Sequence, residues 1–183
     1  MVEIEGYLKT ILDDTSLSQR SKEVLLNEAM NLYEGDIKSI RYDGETKANV
    51  ALYLACDKYS CAIPGKIPLP KFRLLSKIRK ETGIKRREPI ERIDSMCNLM
   101  DVYGDCIPKT TKNLLEIYKG EFLKDYNNYP PLGTAAGAIY IASKLCNEPI
   151  TQEKLHMDLG VNEGIIRNRY KEIAGKLNLG IKL

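Results

Sequence analysis

The sequence is poor in tryptophan and phenylalanine and has no long apolar run and no basic N-terminal segment. Its 183 residues include no tryptophan and two phenylalanines against eleven tyrosines, and tyrosine suits packing near a helix surface because its ring ends in a hydroxyl. No apolar run approaches the roughly 18 residues that a membrane span needs. The first segment, MVEIEGYLKTILDD, is acidic where a signal peptide is basic. We therefore expect a soluble, intracellular protein.

Catalytic and metal-binding groups are equally sparse. The chain has one histidine, His156, no glycine-rich phosphate loop, and no Ser, Cys or Lys nucleophile at a recognisable spacing from a base. A structural zinc site needs four clustered Cys or His ligands, and the cysteines form no C-x-x-C pair. We predict no enzymatic activity, no cofactor and no metal. The five cysteines are interpreted as reduced core thiols: Cys56, Cys61, Cys97, Cys106 and Cys146.

Positive charge is modest overall but concentrated in one segment. The net charge of +3 does not distinguish a nucleic-acid-binding protein from others. Between Lys71 and Arg92, however, nine basic residues face three acidic ones. Such a segment can neutralise phosphates, meet an acidic protein surface or form a solvated helix face. The predicted protein- or phosphate-binding residues, named the basic patch, are Lys77, Arg79, Lys80, Lys85, Arg86 and Arg87.

An internal repeat predicts the architecture. The hexapeptide ALYLAC at residues 51–56 recurs as AIYIAS at residues 138–143, and similarity at one fixed offset implies duplication. Each copy lies in an apolar central helix that follows an amphipathic helix. The amphipathic helices are predicted at 18–34 and 109–126, and the central helices at 46–59 and 132–145. We predict an all-α protein of two tandem helical bundles, with domains at 1–87 and 88–183.

The two copies differ after their central helices. In the first copy, a proline-rich segment at 63–70 disfavours a regular helix, and one basic helix is predicted at 71–82. A further helix at 88–103 opens the second bundle. The domain boundary is expected between residues 83 and 89. The first copy therefore lacks part of the helical pattern that ends the second.

The second copy ends in a pattern typical of a helix-turn-helix. Helices are predicted at 151–159 and 163–177, with a turn at 160–162 and side-chain caps at Thr151 and Asn162. In this geometry the first turns of the last helix enter the major groove of DNA, where side chains reach base edges and phosphates. The predicted DNA-binding residues are Thr151, Gln152, Lys154, Asn162, Ile165, Arg167, Asn168, Arg169 and Lys171.

Three segments carry a resemblance to a known family. GAIYIASKL at 137–145, EPITQE at 148–153 and IRNRYKE at 166–172 resemble the second cyclin-type repeat of the archaeal transcription factor B and eukaryotic transcription factor IIB family. The resemblance implies two cyclin-like bundles that clamp the TATA-binding protein on promoter DNA. It also implies a helix-turn-helix that reads the element upstream of the TATA box.

By the same resemblance, Arg167 is the expected base-reading residue. The family often has valine and threonine where this sequence has Gly164 and Ile165, so this chain keeps the arginine and loses a branched contact next to it. Family members usually also begin with a cysteine-rich zinc ribbon and a linker that engage RNA polymerase. This sequence starts close to its first helical pattern and has no such cysteines, so it is not expected to recruit polymerase by that route.

These features lead to two hypotheses. In the first, the chain is a factor-B-like core, cytoplasmic and nucleoid-associated, that binds double-stranded promoter DNA with the TATA-binding protein and modulates transcription initiation. RNA polymerase or another initiation factor is a further candidate partner. In the second, it is a cyclin-like protein-docking module that does not bind DNA. A basic surface confined to residues 71–87, together with intramolecular salt bridges at both Arg167 and Arg169, would favour the second.

Overall fold

The computed structural model describes residues 2–62, 72–84 and 87–180. Within these ranges the chain folds into helices joined by loops and contains no strand, so the all-α prediction is confirmed. No helix in the described part of the chain is both long enough and apolar enough to cross a membrane. The same part brings together no group of three His, Cys, Asp or Glu side chains that could hold a metal ion.

The first bundle is built around one buried helix. It consists of α1 (Val2–Asp13), α2 (Gln19–Leu32), α3 (Gly44–Tyr59) and α4 (Phe72–Thr82), with a π-helical turn after α2. Asp43 starts α3, because its carboxylate accepts a hydrogen bond of 2.8 Å from the backbone N–H of Thr46. From Ala48 to Cys56, every side chain of α3 except Tyr53 is buried. This is the first copy of the repeated hexapeptide, and it forms the centre of the bundle.

The second bundle repeats this plan and extends it. A short 3-10 turn (Ile90–Arg92) leads into its helices, and the helix at Pro131–Leu145, α8, takes the central place that α3 takes in the first bundle. From Gly133 to Ser143 every residue of α8 is buried. The helices are α5 (Ile93–Leu99), α6 (Cys106–Glu121), α7 (Leu123–Asn128), α8 (Pro131–Leu145), α9 (Gln152–Leu159) and α10 (Glu163–Lys176).

The predicted helices at 109–126 and 88–103 are both interrupted. The first ends at Glu121, because Phe122 leaves the helical conformation (φ −130°, ψ 46°) before α7 begins. The break lets the Phe122 and Tyr126 rings pack on Tyr118 at centroid distances of 5.7 and 6.4 Å. The second interruption consists of the 3-10 turn before α5, which then ends at Leu99. Tertiary packing of this kind overrides a continuous helical pattern.

The interpretation of all five cysteines as reduced core thiols is wrong for two of them. Cys106 and Cys146 form a disulfide that joins the start of α6 to the end of α8, with their Cα atoms 6.1 Å apart. Forty residues separate the two in sequence, and the sequence pattern gives no sign that they meet. The other three, Cys56, Cys61 and Cys97, are buried free thiols. Burial raises the pKa of Cys61 and of Cys97 to about 12.

A buried ion-pair cluster joins the two bundles. Asp57, near the end of α3, pairs with Arg79 of α4 at 2.9 Å and with Arg92 of the 3-10 turn at 2.7 Å. Arg92 is only 5% exposed, so the ion pair with Asp57 offsets the cost of burying its charge. We call Asp57, Arg79 and Arg92 the junction cluster. The predicted domain boundary between residues 87 and 88 falls beside it and stays a prediction.

Candidate nucleic-acid interface

Helices α9 and α10 form the predicted helix-turn-helix. Thr151 caps α9, since its hydroxyl accepts a hydrogen bond of 3.0 Å from the backbone N–H of Lys154. Gly160 ends α9 in the left-handed conformation, at φ +68°. Asn162 then caps α10 through a 2.8 Å hydrogen bond from the backbone N–H of Gly164. Both caps are those expected from the sequence, and they fix where each helix begins.

The inner face of α10 anchors it to α8. Its buried residues recur at spacings of three and four, as on one side of a helix. They are Ile166, Tyr170, Ile173 and Ala174. The ring of Tyr170 stacks on that of Tyr140 in α8, with centroids 4.6 Å apart.

Glycine in α8 permits this close approach. A Cβ atom at Gly137 would lie 2.7 Å from the Cβ of Arg169 and 2.9 Å from the backbone nitrogen of Tyr170. A Cβ atom at Gly133 would lie 2.7 Å from Cγ2 of Ile165. The backbone of α10 therefore rests directly on α8, which fixes the direction of its outer face.

The outer face of α10 is open. Arg167, Asn168 and Lys171 are exposed, and their spacing places them on one side of the helix. Ile165 lies at the edge of this face and is 45% exposed. Among the described residues, neither Arg167 nor Lys171 forms an ion pair. We call these four residues the outer face of α10; they combine two cations, an amide and an apolar side chain.

Arg169 lies on the flank of α10 and is engaged within the protein. Its side chain is 14% exposed and pairs with Glu172 at 2.7 Å. The guanidinium carbon lies 3.3 Å from the ring centroid of Tyr129, a cation–π arrangement. Tyr118 donates a 3.0 Å hydrogen bond to the same Glu172, and burial followed by this bond raises the pKa of Tyr118. Arg169 therefore holds α10 in place, whereas Arg167 faces outward.

The predicted contacts on α9 are partly occupied. Lys154 is 48% exposed and pairs with Asp158 one turn later, at 2.7 Å. Gln152 is half-buried, and its Oε1 is buried without a hydrogen-bond partner in the described part of the chain. Thr151 and Asn162 are exposed but use their side-chain oxygens as caps. The α9 side of the motif thus offers fewer free polar groups than the outer face of α10.

The described members of the basic patch do not share one surface. Lys77 and Lys80 are exposed, and Lys77 lies 3.8 Å from Glu81. Arg79 turns inward to the junction cluster. Arg87 donates hydrogen bonds to the Lys58 carbonyl at 2.6 Å and to the Ser95 hydroxyl at 3.2 Å. Lys85 and Arg86 lie outside the described residues.

Sequence reasoning missed the groups that connect the two bundles. Nothing in the sequence was a reason to select Asp57, because its partner Arg92 is 35 residues away. Hydrogen bonds that join carbonyl groups of α9 to Ser18, Ser21 and Ala62 of the first bundle were missed for the same reason, because these residues are distant in sequence. The sequence predicted the turn at 160–162, but it did not predict that the backbone of Ala62 packs against Gly160.

Comparison with known families places the chain. The family model described as "Transcription factor TFIIB repeat" matches residues 85–176, half of the 183 residues. The chain belongs to the TFIIB family. The match covers α5 to α10, the region that carries the helix-turn-helix, and confirms the resemblance found in residues 137–172.

Archaeal relatives support this membership. The transcription initiation factor IIB of Methanothrix thermoacetophila is 36% identical over 153 residues, which cover 76% of this chain and 43% of the relative. That of Methanosarcina mazei is 34% identical with the same coverage. That of Saccharolobus shibatae is 34% identical over 110 residues, covering 60% of this chain and 35% of the relative. The chain thus spans less than half the length of these relatives.

Proposed function

We propose that this TFIIB-family chain binds double-stranded promoter DNA through its helix-turn-helix, together with the TATA-binding protein, and thereby modulates transcription initiation. The observation that carries the proposal is the outer face of α10. It presents Arg167 and Lys171 without acidic partners among the described residues, on a helix whose opposite face is packed on α8. A rigid helix with an open, cationic face is the form that fits a major groove.

Each residue of the outer face suits a distinct contact. Arg167 can donate two hydrogen bonds to the O6 and N7 atoms of guanine, and Asn168 can pair in the same way with adenine. Ile165 offers an apolar contact to a thymine methyl group. Lys171, further along the helix, suits the phosphate backbone, where contacts fix register without reading sequence. The proposal therefore assigns base reading to the first turns of α10.

The TATA-binding protein enters the proposal through family membership. The matched relatives are named transcription initiation factors IIB, and the second-repeat motifs of that family recur at residues 137–172. RNA polymerase or another initiation factor is a further proposed partner. In this proposal the chain contributes the helical core that holds promoter DNA and the TATA-binding protein together.

A gel-shift titration on a TATA-containing promoter fragment tests the proposal. It is run with and without the TATA-binding protein at two salt concentrations. We expect a shift that requires the TATA-binding protein and weakens as salt rises, because phosphate contacts release counterions. The absence of a shift under all four conditions would refute the proposal.

The ion pair of Arg169 favours a second candidate function. Of the two arginine ion pairs expected for a cyclin-like docking module that binds a protein and no DNA, it supplies one. The other, an intramolecular ion pair at Arg167, is not found among the described residues. Replacing Arg167 by alanine separates the candidates, since only the DNA-binding candidate predicts weaker DNA binding.

A further inference from the structure

The last turn of α9 directs its carbonyl groups at the first bundle. Three consecutive carbonyl oxygens accept hydrogen bonds from residues far away in sequence. The pairs are Ser18 N–H to Met157 O at 2.7 Å, Ser21 Oγ–H to Asp158 O at 2.9 Å, and Ala62 N–H to Leu159 O at 2.6 Å. The thiol of Cys61 adds a longer contact of 3.4 Å to the Asp158 carbonyl.

These hydrogen bonds satisfy groups that the helix cannot satisfy itself. The last four carbonyls of any α-helix lack an intrahelical donor. In α9 the carbonyl of His156 is paired within the motif, with the N–H of Gly160. The next three are paired by the first bundle, so the first bundle acts as the C-terminal cap of α9.

The contact is buried, which makes it specific. Ser21, Leu159 and Gly160 are all buried, and Ser21 is 0% exposed. Water therefore cannot replace the first-bundle donors at these carbonyls, and a buried carbonyl without a donor is costly. The buried carbonyls of α9 therefore favour the one orientation of the two bundles in which the first bundle supplies their donors.

Gly160 brings the turn itself into this contact. Its φ of +68° already favours glycine. In addition, a Cβ atom at this position would lie 2.0 Å from the carbonyl oxygen of Ala62, which belongs to the backbone of the first bundle and cannot rotate away. The turn of the helix-turn-helix thus needs glycine for its neighbour as well as for its own conformation.

We propose that the first bundle caps the helix-turn-helix and that Ser21 and Gly160 are positioning residues for the reading of DNA by α10. This inference rests on the proposed function. The cap fixes the position of α9. The turn at Gly160 connects α9 directly to α10, and packing on α8 holds α10 in place. Loosening the cap should therefore reduce discrimination between DNA sequences more than general attraction to phosphates, because discrimination depends on the register of base contacts.

The first experiment measures whether the cap exists in solution. Hydrogen exchange of the Ser18 and Ala62 amides is compared in the full chain and in Gly160→Ala. We expect at least about tenfold faster exchange at both amides in the variant, because the added methyl group forces the bundles apart. Unchanged exchange would overturn the inference.

Gly83→Ala is the matched control. Gly83 has nearly the same φ, +72°, and nothing lies within 4 Å of a Cβ atom built on it. The control therefore adds the same kind of backbone strain without the collision. It should leave the exchange of the Ser18 and Ala62 amides unchanged; equal acceleration in both variants would mean that strain alone, not the cap, is responsible.

A milder pair of variants tests the role in DNA reading and avoids a loss of folding. Ser21→Ala removes the hydroxyl that bonds to Asp158, and Ser143→Ala removes an equally buried hydroxyl within the second bundle, which bonds to Tyr140 and Ile150. For each variant, the affinity for a promoter fragment is divided by that for a scrambled fragment, with the TATA-binding protein present. Both are measured at a temperature at which circular dichroism shows complete folding.

We expect Ser21→Ala to lower this ratio about tenfold while its affinity for scrambled DNA stays the same, and Ser143→Ala to leave the ratio within about twofold. Faster exchange in Ser21→Ala with an unchanged ratio would reduce the cap to a purely structural role and overturn its part in reading. If the unmodified chain binds no DNA, the proposed function fails, and hydrogen exchange still decides whether the first bundle caps α9.

Discussion

Two cationic regions that look alike in sequence differ in the structure. The basic patch and the outer face of α10 are both cationic, yet Arg79 and Arg87 are bound by other groups of the protein while Arg167 is exposed. The difference lies in their partners. Asp57 pairs with Arg79, and the Lys58 carbonyl accepts a hydrogen bond from Arg87. No acidic group among the described residues pairs with Arg167. A run of basic residues in the sequence therefore predicts a basic surface only where no group from another helix binds the basic side chains.

The largest change in stability is expected when Asp57, which pairs with Arg79 and Arg92, is replaced. Asp57→Ala leaves Arg92, which is 5% exposed, with a buried and unpaired charge. We expect a loss of about 3–5 kcal/mol in the free energy of unfolding, measured with denaturant. Asp94→Ala is the control, because Asp94 is 67% exposed in its pair with Lys112 and such pairs contribute at most about 1 kcal/mol. Similar losses in the two variants would contradict the distinction between inward and outward charges.

A second prediction concerns the arginine that faces outward. Arg167→Ala should leave the free energy of unfolding nearly unchanged and weaken binding to the promoter fragment by about 1–3 kcal/mol, as expected for loss of a base contact. Gel-shift titration with the TATA-binding protein measures the affinity. Lys9→Ala removes one charge from α1, where Lys9 pairs with Glu5, and serves as the control. An equal loss of affinity in both variants would mean that net charge, not the outer face, governs binding.

Lys171→Ala should have a smaller effect of a different kind. Because Lys171 suits a phosphate, its loss should weaken binding to promoter and scrambled fragments alike. It should also reduce the slope of log affinity against log salt by about 1. The slope is obtained from titrations at four salt concentrations. An effect confined to the promoter fragment would instead place Lys171 among the base-reading residues.

The smallest effect is expected in the basic patch. Lys80 is exposed and forms no ion pair with any described residue, so Lys80→Ala should change the free energy of unfolding by less than about 0.5 kcal/mol. Its affinity for the promoter fragment should stay within about twofold of the original. A drop comparable to that of Lys171→Ala would show that the basic patch also touches DNA.

Local patterns predicted most of the fold. The repeated hexapeptide located the two central helices, and the side chains of Thr151 and Asn162 located the starts of α9 and α10, because apolar periodicity and caps act within a few residues. The break at Phe122 escaped prediction, since it depends on rings that meet only in the folded chain. The disulfide of Cys106 and Cys146 escaped for the same reason.

The candidate site shows the same division. Sequence reasoning selected Arg167 and Arg169 together, from their position in one helix. It could not foresee that Tyr129 and Glu172 engage Arg169 while Arg167 stays exposed. Nor could it find the cap of α9, whose donor Ser21 lies 137 residues from its acceptor. Contacts between distant segments set which polar groups remain free, and a single sequence does not specify those contacts.

In the proposed function, the outer face of α10 reads promoter DNA. The most direct measurement is a protection footprint on a promoter fragment, with the TATA-binding protein present, for the full chain and for Arg167→Ala. We expect the chain to extend protection upstream of the TATA box, and Arg167→Ala to weaken this extension while the protection of the TATA box persists. No upstream protection by the unmodified chain, or equal protection by both proteins, would contradict it.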